Sequence, residues 1–216
     1  MWSSFRNSLK KFKEIDVHPH ICCERAEGFT TASFESTEVD YLDLLYGLVR
    51  CIKPRSVVET GCHFGISSTC IALALCENEK DGAENGRLLS IEIERTNLEH
   101  AIATAEAWGV LQHIDFIQGD SVDYLTTGAI PAFDMGFFDS TRTRRALEFR
   151  AIYNRTKFNR NAIAAFHDTS RHRSMSMASQ RVSQDLYLSE LDKILPLAQG
   201  CIELTKSRGL RVFQLP

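Results

Sequence analysis

Apolar positions along this chain fall into two rhythms. Spacings of three and four residues predict helices, and short β-branched runs between them predict strands. Residues 2–14 carry a weak helical spacing (Phe5, Leu9, Phe12) with basic residues between. Val39, Leu42, Leu45, Tyr46 and Val49 predict a helix over 37–52, with Thr37 and Asp40 resembling a capping box and Pro54 forbidding continuation. Val57 to Thr60 then reads as a strand, and Gly61 and Gly65 as a tight turn. A helix follows through Cys70, Ile71, Leu73, Ala74 and Leu75 and stops near Glu77. Further strands are predicted at Arg87–Glu94, His113–Ile117, Phe133–Asp139 and Asn161–Thr169. Between them, a capping box at Thr96 and Glu99 opens a helix that Gly109 ends. A short helix is predicted at 121–126 and an amphipathic one at 179–196. Cys201–Thr205 and Leu210–Leu215, joined by Lys206-Ser207-Arg208-Gly209, read as a terminal hairpin.

Alternating strands and helices make this an α/β chain with a mostly parallel sheet. The 216 residues suit one domain, read as a helical extension or lid at 1–35 and a main domain at 36–216. A net charge of -3 lacks the basic field that nucleic-acid binding needs. No apolar run approaches a membrane span, and no apolar segment follows the basic N-terminal residues as in a secretory signal. Seven cysteines, an odd number with no Cys-x-x-Cys pair, fit a reduced cytoplasmic protein in which several act as small hydrophobes.

The chemistry-bearing residues gather at predicted strand ends. In an open α/β sheet that rim is where ligands bind. Gly61 and Gly65 let a ligand approach the backbone, or serve only as a tight turn. Glu92, near the end of the second strand, suits the two hydroxyls of a ribose. Asp120 and Ser121 fall beyond the third strand, either beside an adenine ring or as a plain helix N-cap. The turn lacks Gly-x-Gly-x-x-Gly, which counts against an NAD(P)-dependent oxidoreductase or a flavin site. Near the N-terminus, His18, His20, Cys22 and Cys23 have zinc-ligand chemistry but match no closed zinc spacing, and a loop is the alternative.

Three segments together resemble a known family. Glu59-Thr60-Gly61-Cys62-His63-Phe64-Gly65 looks like the first motif of class I S-adenosylmethionine-dependent methyltransferases, Ser90-Ile91-Glu92 like the second, and Gly119-Asp120-Ser121 like the third. Within that superfamily the chain is most similar to small O-methyltransferases of the catechol, caffeoyl-coenzyme A and macrolide-sugar types. The resemblance covers roughly residues 36 to 170. It implies a Rossmann-like, doubly wound, seven-stranded sheet with an antiparallel C-terminal hairpin. It also implies S-adenosylmethionine as methyl donor. Glu59 and Gly61 would lie under its methionine part, His63 and Gly65 at cofactor-contacting turn positions, Ser67 near its carboxylate, Glu92 on the ribose and Asp120 with Ser121 at the adenine. Asp139 would also bind the cofactor.

Asp139 and Asp168 match two metal ligands of the metal-dependent relatives, which implies Mg²⁺ or another divalent cation. Capping of the following helices, or binding of the cofactor only, is the alternative. Two departures stand out. Thr169 takes the place of the usual asparagine ligand. Arg142 takes the place of a lysine base and, staying protonated, accepts no proton. The remaining bases are His167, Asp168 and His172, with His167 expected to face away from its neighbour by strand alternation. Arg142, Arg144, Arg145, Arg171 and Arg173 are expected on loops, either solvated or holding an anionic acceptor. The expected function is methylation of a hydroxyl on a small metabolite, with a homodimer as one arrangement of the chain. A cofactor-binding domain without transferase activity is the second reading.

Overall fold

A computed structural model describes residues 1–11, 36–171 and 178–216. The His18, His20, Cys22 and Cys23 group, as well as His172 and Arg173, lie outside the described residues.

Seven strands form one sheet in the order β3-β2-β1-β4-β5-β7-β6. They are β1 (Ser56–Thr60), β2 (Arg87–Glu92), β3 (Ile114–Gln118), β4 (Phe133–Phe138), β5 (Phe158–His167), β6 (Gly200–Leu204) and β7 (Leu210–Gln214). The first five pair in parallel, and β7 runs antiparallel between β5 and β6. The order in which successive strands are added across the sheet reverses between β1 and β4, so the crevice beyond their carboxyl ends is the topological switch point.

Strand alternation divides the core into two layers. Val57, Leu88, Met135, Phe137 and Val212 face one side, and Val58, Ile91, Phe138, Phe166 and Phe213 face the other. On the first side lie α2 (Val39–Ile52), α3 (Ile66–Lys80) and α4 (Arg95–Ala107), with α1 (Trp2–Lys11) against α3. The other side carries α5 (Ser121–Thr127), α6 (Arg142–Asn154) and α7 (Ala178–Asp192). In α3 the whole run from Ser67 to Cys76 is buried, because the sheet covers one flank and α2 the other. That double cover explains why its apolar residues show no single face. Cys62, Cys70 and Cys76 are buried as small hydrophobes, whereas Cys51 and Cys201 are exposed.

Several local expectations change. The capping box at Thr37 and Asp40 does not form. Glu38 is the N-cap residue, and the Thr37 hydroxyl donates instead to Asp139 Oδ2 at 2.8 Å. Nor does Thr96 cap α4, which begins one residue earlier, at Arg95; Glu99 pairs with Arg95 at 2.9 Å. The helix α3 runs past Glu77 to Lys80. Arg142, Arg144 and Arg145 belong to the first turn of a full helix, α6, rather than to a loop. The predicted helix at 179–196 divides into α7 and a short 3₁₀ turn at Leu195–Leu197 that contains Pro196.

Candidate active site

The turn after β1 is built around two glycines in the left-handed region, both with φ 76°. A Cβ on Gly61 would lie 2.6 Å from the Cα of Ser140, beyond β4. One on Gly65 would lie 2.7 Å from the Cα of Ala101 in α4. The absent side chains therefore let the turn nest between its neighbours at the switch point. Glu92 ties the turn to the end of β2. Its Oε2 accepts from the His63 amide at 2.8 Å, and its Oε1 from the Glu94 amide at 3.0 Å. Each carboxylate oxygen keeps a lone pair for another donor, so a vicinal diol fits here. Beneath the turn, Glu59 is fully buried; its Oε2 accepts from Ser90 at 2.8 Å and from Ser68. Burial raises its carboxyl above the usual range, against the opposing pull of Ser67, Ser68 and Ser90. Ser67 thus lies at the first turn of α3 beside Glu59.

Beyond β3, Asp120 caps α5, accepting from the Asp123 amide at 3.1 Å, and it also pairs with Arg144. The Ser121 hydroxyl is turned inward and donates to Glu148 of α6, which also accepts from Thr60 at 2.7 Å. Burial raises the Glu148 carboxyl, while these hydroxyls and Arg145 pull against it.

The opposite flank of the crevice holds a buried ionic cluster. In register, Phe138 pairs with Phe166, which leaves Asp139 and His167 as the next step of the ladder. His167 faces Asp139: its Nδ1 lies 2.9 Å from Asp139 Oδ1. Asp168 reaches the same cluster because its backbone is left-handed, with φ 61°. Alternation breaks there, and aspartate tolerates that conformation better than most residues. The expectation that His167 and Asp168 point apart is corrected by this turn of the backbone.

Arg145 joins the two aspartates. Its Nη2 lies 2.9 Å from Asp139 Oδ1 and 2.9 Å from Asp168 Oδ2. Its Nε donates to the Ser140 carbonyl at 2.8 Å and its Nη1 to the His167 carbonyl at 2.6 Å. The guanidinium stacks 5.4 Å from the centroid of Tyr187, whose hydroxyl donates to the same His167 carbonyl. Burial opposes the charge of Arg145, but Asp168 and Asp139 hold its pKa above the ordinary arginine value.

Behind His167 stands Glu38, fully buried, with Oε2 at 2.7 Å from His167 Nε2. Ser207 and the Arg208 amide donate to Glu38 Oε1 at 2.5 Å and 3.0 Å, and the Arg208 guanidinium lies 3.2 Å from Oε2. Burial works against both charges here. Even so, Asp139, Asp168 and Glu38 push His167 up to about 9, and His167, Arg208 and Ser207 hold Glu38 well below the usual carboxylate range. With each ring nitrogen facing a carboxylate, His167 offers no lone pair to an acceptor at neutral pH.

Asp139, His167 and Asp168 each present a ligand atom within 4.8 Å of the others. These donors are already committed to one another and to Arg145. A cation shared by the two aspartates does not fit while the guanidinium bridges them. Thr169 is fully buried, and its Oγ1 makes no hydrogen bond. Arg142 opens α6 half-buried, and Arg171 pairs with Asp192 at 2.8 Å.

The sequence does not single out Glu38, Glu148 or Arg208, and its pattern puts Arg145 on a loop. A signal existed for α6: Arg145, Glu148, Phe149 and Ile152 recur at helical spacing. For Glu38 and Arg208 the chain offers none, since Glu38 meets His167, Ser207 and Arg208 from more than a hundred residues away.

A family profile described as a methyltransferase domain matches residues 58–169, from β1 through the glycine turn to both aspartates. The chain belongs to this family. Among curated proteins, this methyltransferase-family chain is similar to tapetum-specific methyltransferase 1 of Arabidopsis thaliana, 32% identical over 49% of this chain and 43% of that protein. It is also similar to caffeoyl-CoA O-methyltransferase 1 of Zea mays, 27% identical over 61% of this chain and 44% of that one. The match thus spans less than half the length of either relative. Among solved structures, the O-methyltransferase TomG from Streptomyces achromogenes, in complex with SAM, superposes with a TM-score of 0.68 at 18% identity, covering 98% of this chain and 88% of that one. The O-methyltransferase from Bacillus cereus in complex with SAH gives 0.72 at 14% identity, covering 99% and 91%. These likenesses establish the methyltransferase fold.

Proposed function

We propose that this chain is an S-adenosylmethionine-dependent O-methyltransferase acting on a hydroxyl of a small metabolite. The observation that carries the reading is the junction of the glycine turn with Glu92 at the switch point. It offers a backbone cradle and a diol-binding carboxylate side by side. The named relatives, O-methyltransferases among them, support the same donor and the same acceptor atom.

Bound at this crevice, S-adenosylmethionine supplies a methyl group made electrophilic by its sulfonium. Glu92 accepts hydrogen bonds from the ribose hydroxyls. The Gly61–Gly65 turn lets the methionine part lie close against the backbone, and Glu59 braces that turn from below. On the other flank Asp139 and Asp168, with side chains 11% and 10% exposed, face the acceptor. They orient its hydroxyl by accepting its hydrogen bond. On transfer of that methyl group, the acceptor hydroxyl would give up its proton to one of these carboxylates or to water. An in-line displacement of this kind gains much of its rate from positioning. His167, charged at neutral pH, fixes Asp139 instead of taking the proton. Among the described residues, Arg144, Arg145 and Arg171 each already pair with an acidic side chain.

Calorimetry with S-adenosylhomocysteine tests the donor. Saturable binding is expected, and no heat at high micromolar ligand overturns the assignment. Transfer of labelled methyl to a panel of phenols, sugars and polyketide-like alcohols tests the acceptor class. Donor binding with no product on any hydroxyl rejects the transferase half of the reading.

A further inference from the structure

The metal-dependent relatives that the sequence resembles would hold a divalent ion between the residues matching Asp139 and Asp168. In this chain Arg145 fills that position. We infer that the guanidinium of Arg145 is the protein's built-in replacement for the divalent cation, and that methyl transfer here is metal-independent. The inference rests on the methyltransferase reading for its consequence, but its central claim concerns cation binding alone.

Three observations carry it. First, one nitrogen of Arg145 sits at 2.9 Å from both Asp139 and Asp168, the two carboxylates that a shared ion would need. Second, the guanidinium cannot swing aside cheaply. It is 3% exposed, and bonds to Ser140 and His167 carbonyls hold it from two further directions, with Tyr187 against it. A fork fixed by several hydrogen bonds loses all of them on rotating away. Third, the two aspartates already have cationic partners. Asp139 and Asp168 share Arg145, and Asp168 and Glu38 meet Arg208 in the same buried cluster. A divalent ion placed between the aspartates would bury two more positive charges against the Arg145 guanidinium, which is costly without further anions. Arg145 acts as a positioning residue: it holds the two carboxylates facing the acceptor and neutralises them, as an ion would, without polarising the hydroxyl by direct coordination.

The same geometry explains the departures at the neighbouring positions. With no ion to ligate, the asparagine position carries Thr169, whose hydroxyl is buried and unbonded. The lysine position carries Arg142 at the start of the helix that delivers Arg145.

The test is Mn²⁺ titration of the purified, chelator-treated chain, read by the electron paramagnetic resonance of free Mn²⁺, with and without S-adenosylhomocysteine. The wild-type signal is expected to track total Mn²⁺ added; a saturable single site overturns the inference. Arg145→Ala opens the position and is expected to gain one Mn²⁺ site. If it folds by circular dichroism and still ignores Mn²⁺, the guanidinium is not what excludes the ion. Should Arg145→Ala fail to fold, Arg145→Lys keeps the charge and is expected to stay free of Mn²⁺; a saturable site in it overturns the inference. In the same preparation, calorimetry with S-adenosylhomocysteine reads the donor assignment separately. Loss of that binding would sink the methyltransferase reading while leaving the Mn²⁺ result intact.

Discussion

At the residue scale, the site depends on a few atoms with no slack. Gly61 has φ 76° and no room for a methyl group against Ser140. Gly61→Ala is expected to lower stability by roughly 1–3 kcal/mol from backbone strain alone, with a further penalty from the clash. Urea denaturation measures it, and an unchanged midpoint would show that the turn adapts. Glu92 is the second such residue. Its hydrogen bonds to the ribose would be charge-assisted, and bonds to charged groups contribute ~1.5–3 kcal/mol. Glu92→Ala is therefore expected to weaken S-adenosylhomocysteine binding on the order of tenfold or more. Glu92→Gln, which keeps one acceptor oxygen, should lose less. Equal affinity in wild type and Glu92→Ala would remove the ribose role.

At the scale of elements, each rim residue is delivered by the way its helix or strand ends. Asp120 shows how a structural role competes with a binding role at such an end. Its carboxylate already caps α5 and pairs with Arg144. Loss of an N-cap costs ~0.5–2 kcal/mol, and Asp120→Ala should destabilise the fold by that amount in thermal or urea unfolding. A fall in stability with unchanged S-adenosylhomocysteine affinity marks Asp120 as a cap alone. A parallel fall in affinity means the same carboxylate also meets the adenine. The helix α6 joins two tasks in one element. Phe149 and Ile152 anchor it in the core, and Arg145 and Glu148, on the turn before, reach into the crevice. Burial of its apolar face is what aims the guanidinium.

At the scale of the whole molecule, the ionic cluster fastens distant parts of the chain together. Glu38 comes from the start of α2, His167 from the end of β5, and Ser207 and Arg208 from the turn between β6 and β7. Its titration should appear in the pH dependence of stability. His167 is raised from 6.5 in the unfolded chain to about 9. Its contribution is complete below pH 6.5 and is lost as pH rises through 9, because the folded state then sheds the extra proton it held. Glu38 is shifted the other way. Its contribution is present above its ordinary value of 4.5 and is lost as pH falls below it. Denaturant unfolding across pH should thus show a plateau from pH 4.5 to 6.5 and a decline from 6.5 through about 9. In His167→Gln the alkaline decline should flatten, and an unaltered decline would assign it to other groups. Removing one partner of a buried pair costs ~3–5 kcal/mol, so Glu38→Ala should be among the most damaging substitutions.

The order of elements, the strand-end position of Gly61, Glu92 and Asp139, and the terminal hairpin were legible in the sequence. Each depends on local patterning: β-branched runs, helical spacing, glycine and proline punctuation. No helix among the described residues is long and apolar enough to cross a membrane, as the absence of a long apolar run implied. What local pattern cannot encode is which side chains meet across the sheet. The left-handed backbone at Asp168 changes the facing of the strand end, and no residue type announces it. Arg145 reads in the sequence as one more arginine among several. It becomes the partner of both aspartates only when α6 packs against β4 and β5. The carboxylate of Glu38 lies 129 positions from His167. The sequence by itself determined the glycine turn and the acid at the next strand end, because a turn, a strand end and an acid are local features. Tertiary structure alone decided what stands between the two aspartates, because that depends on charges brought together from the whole length of the chain.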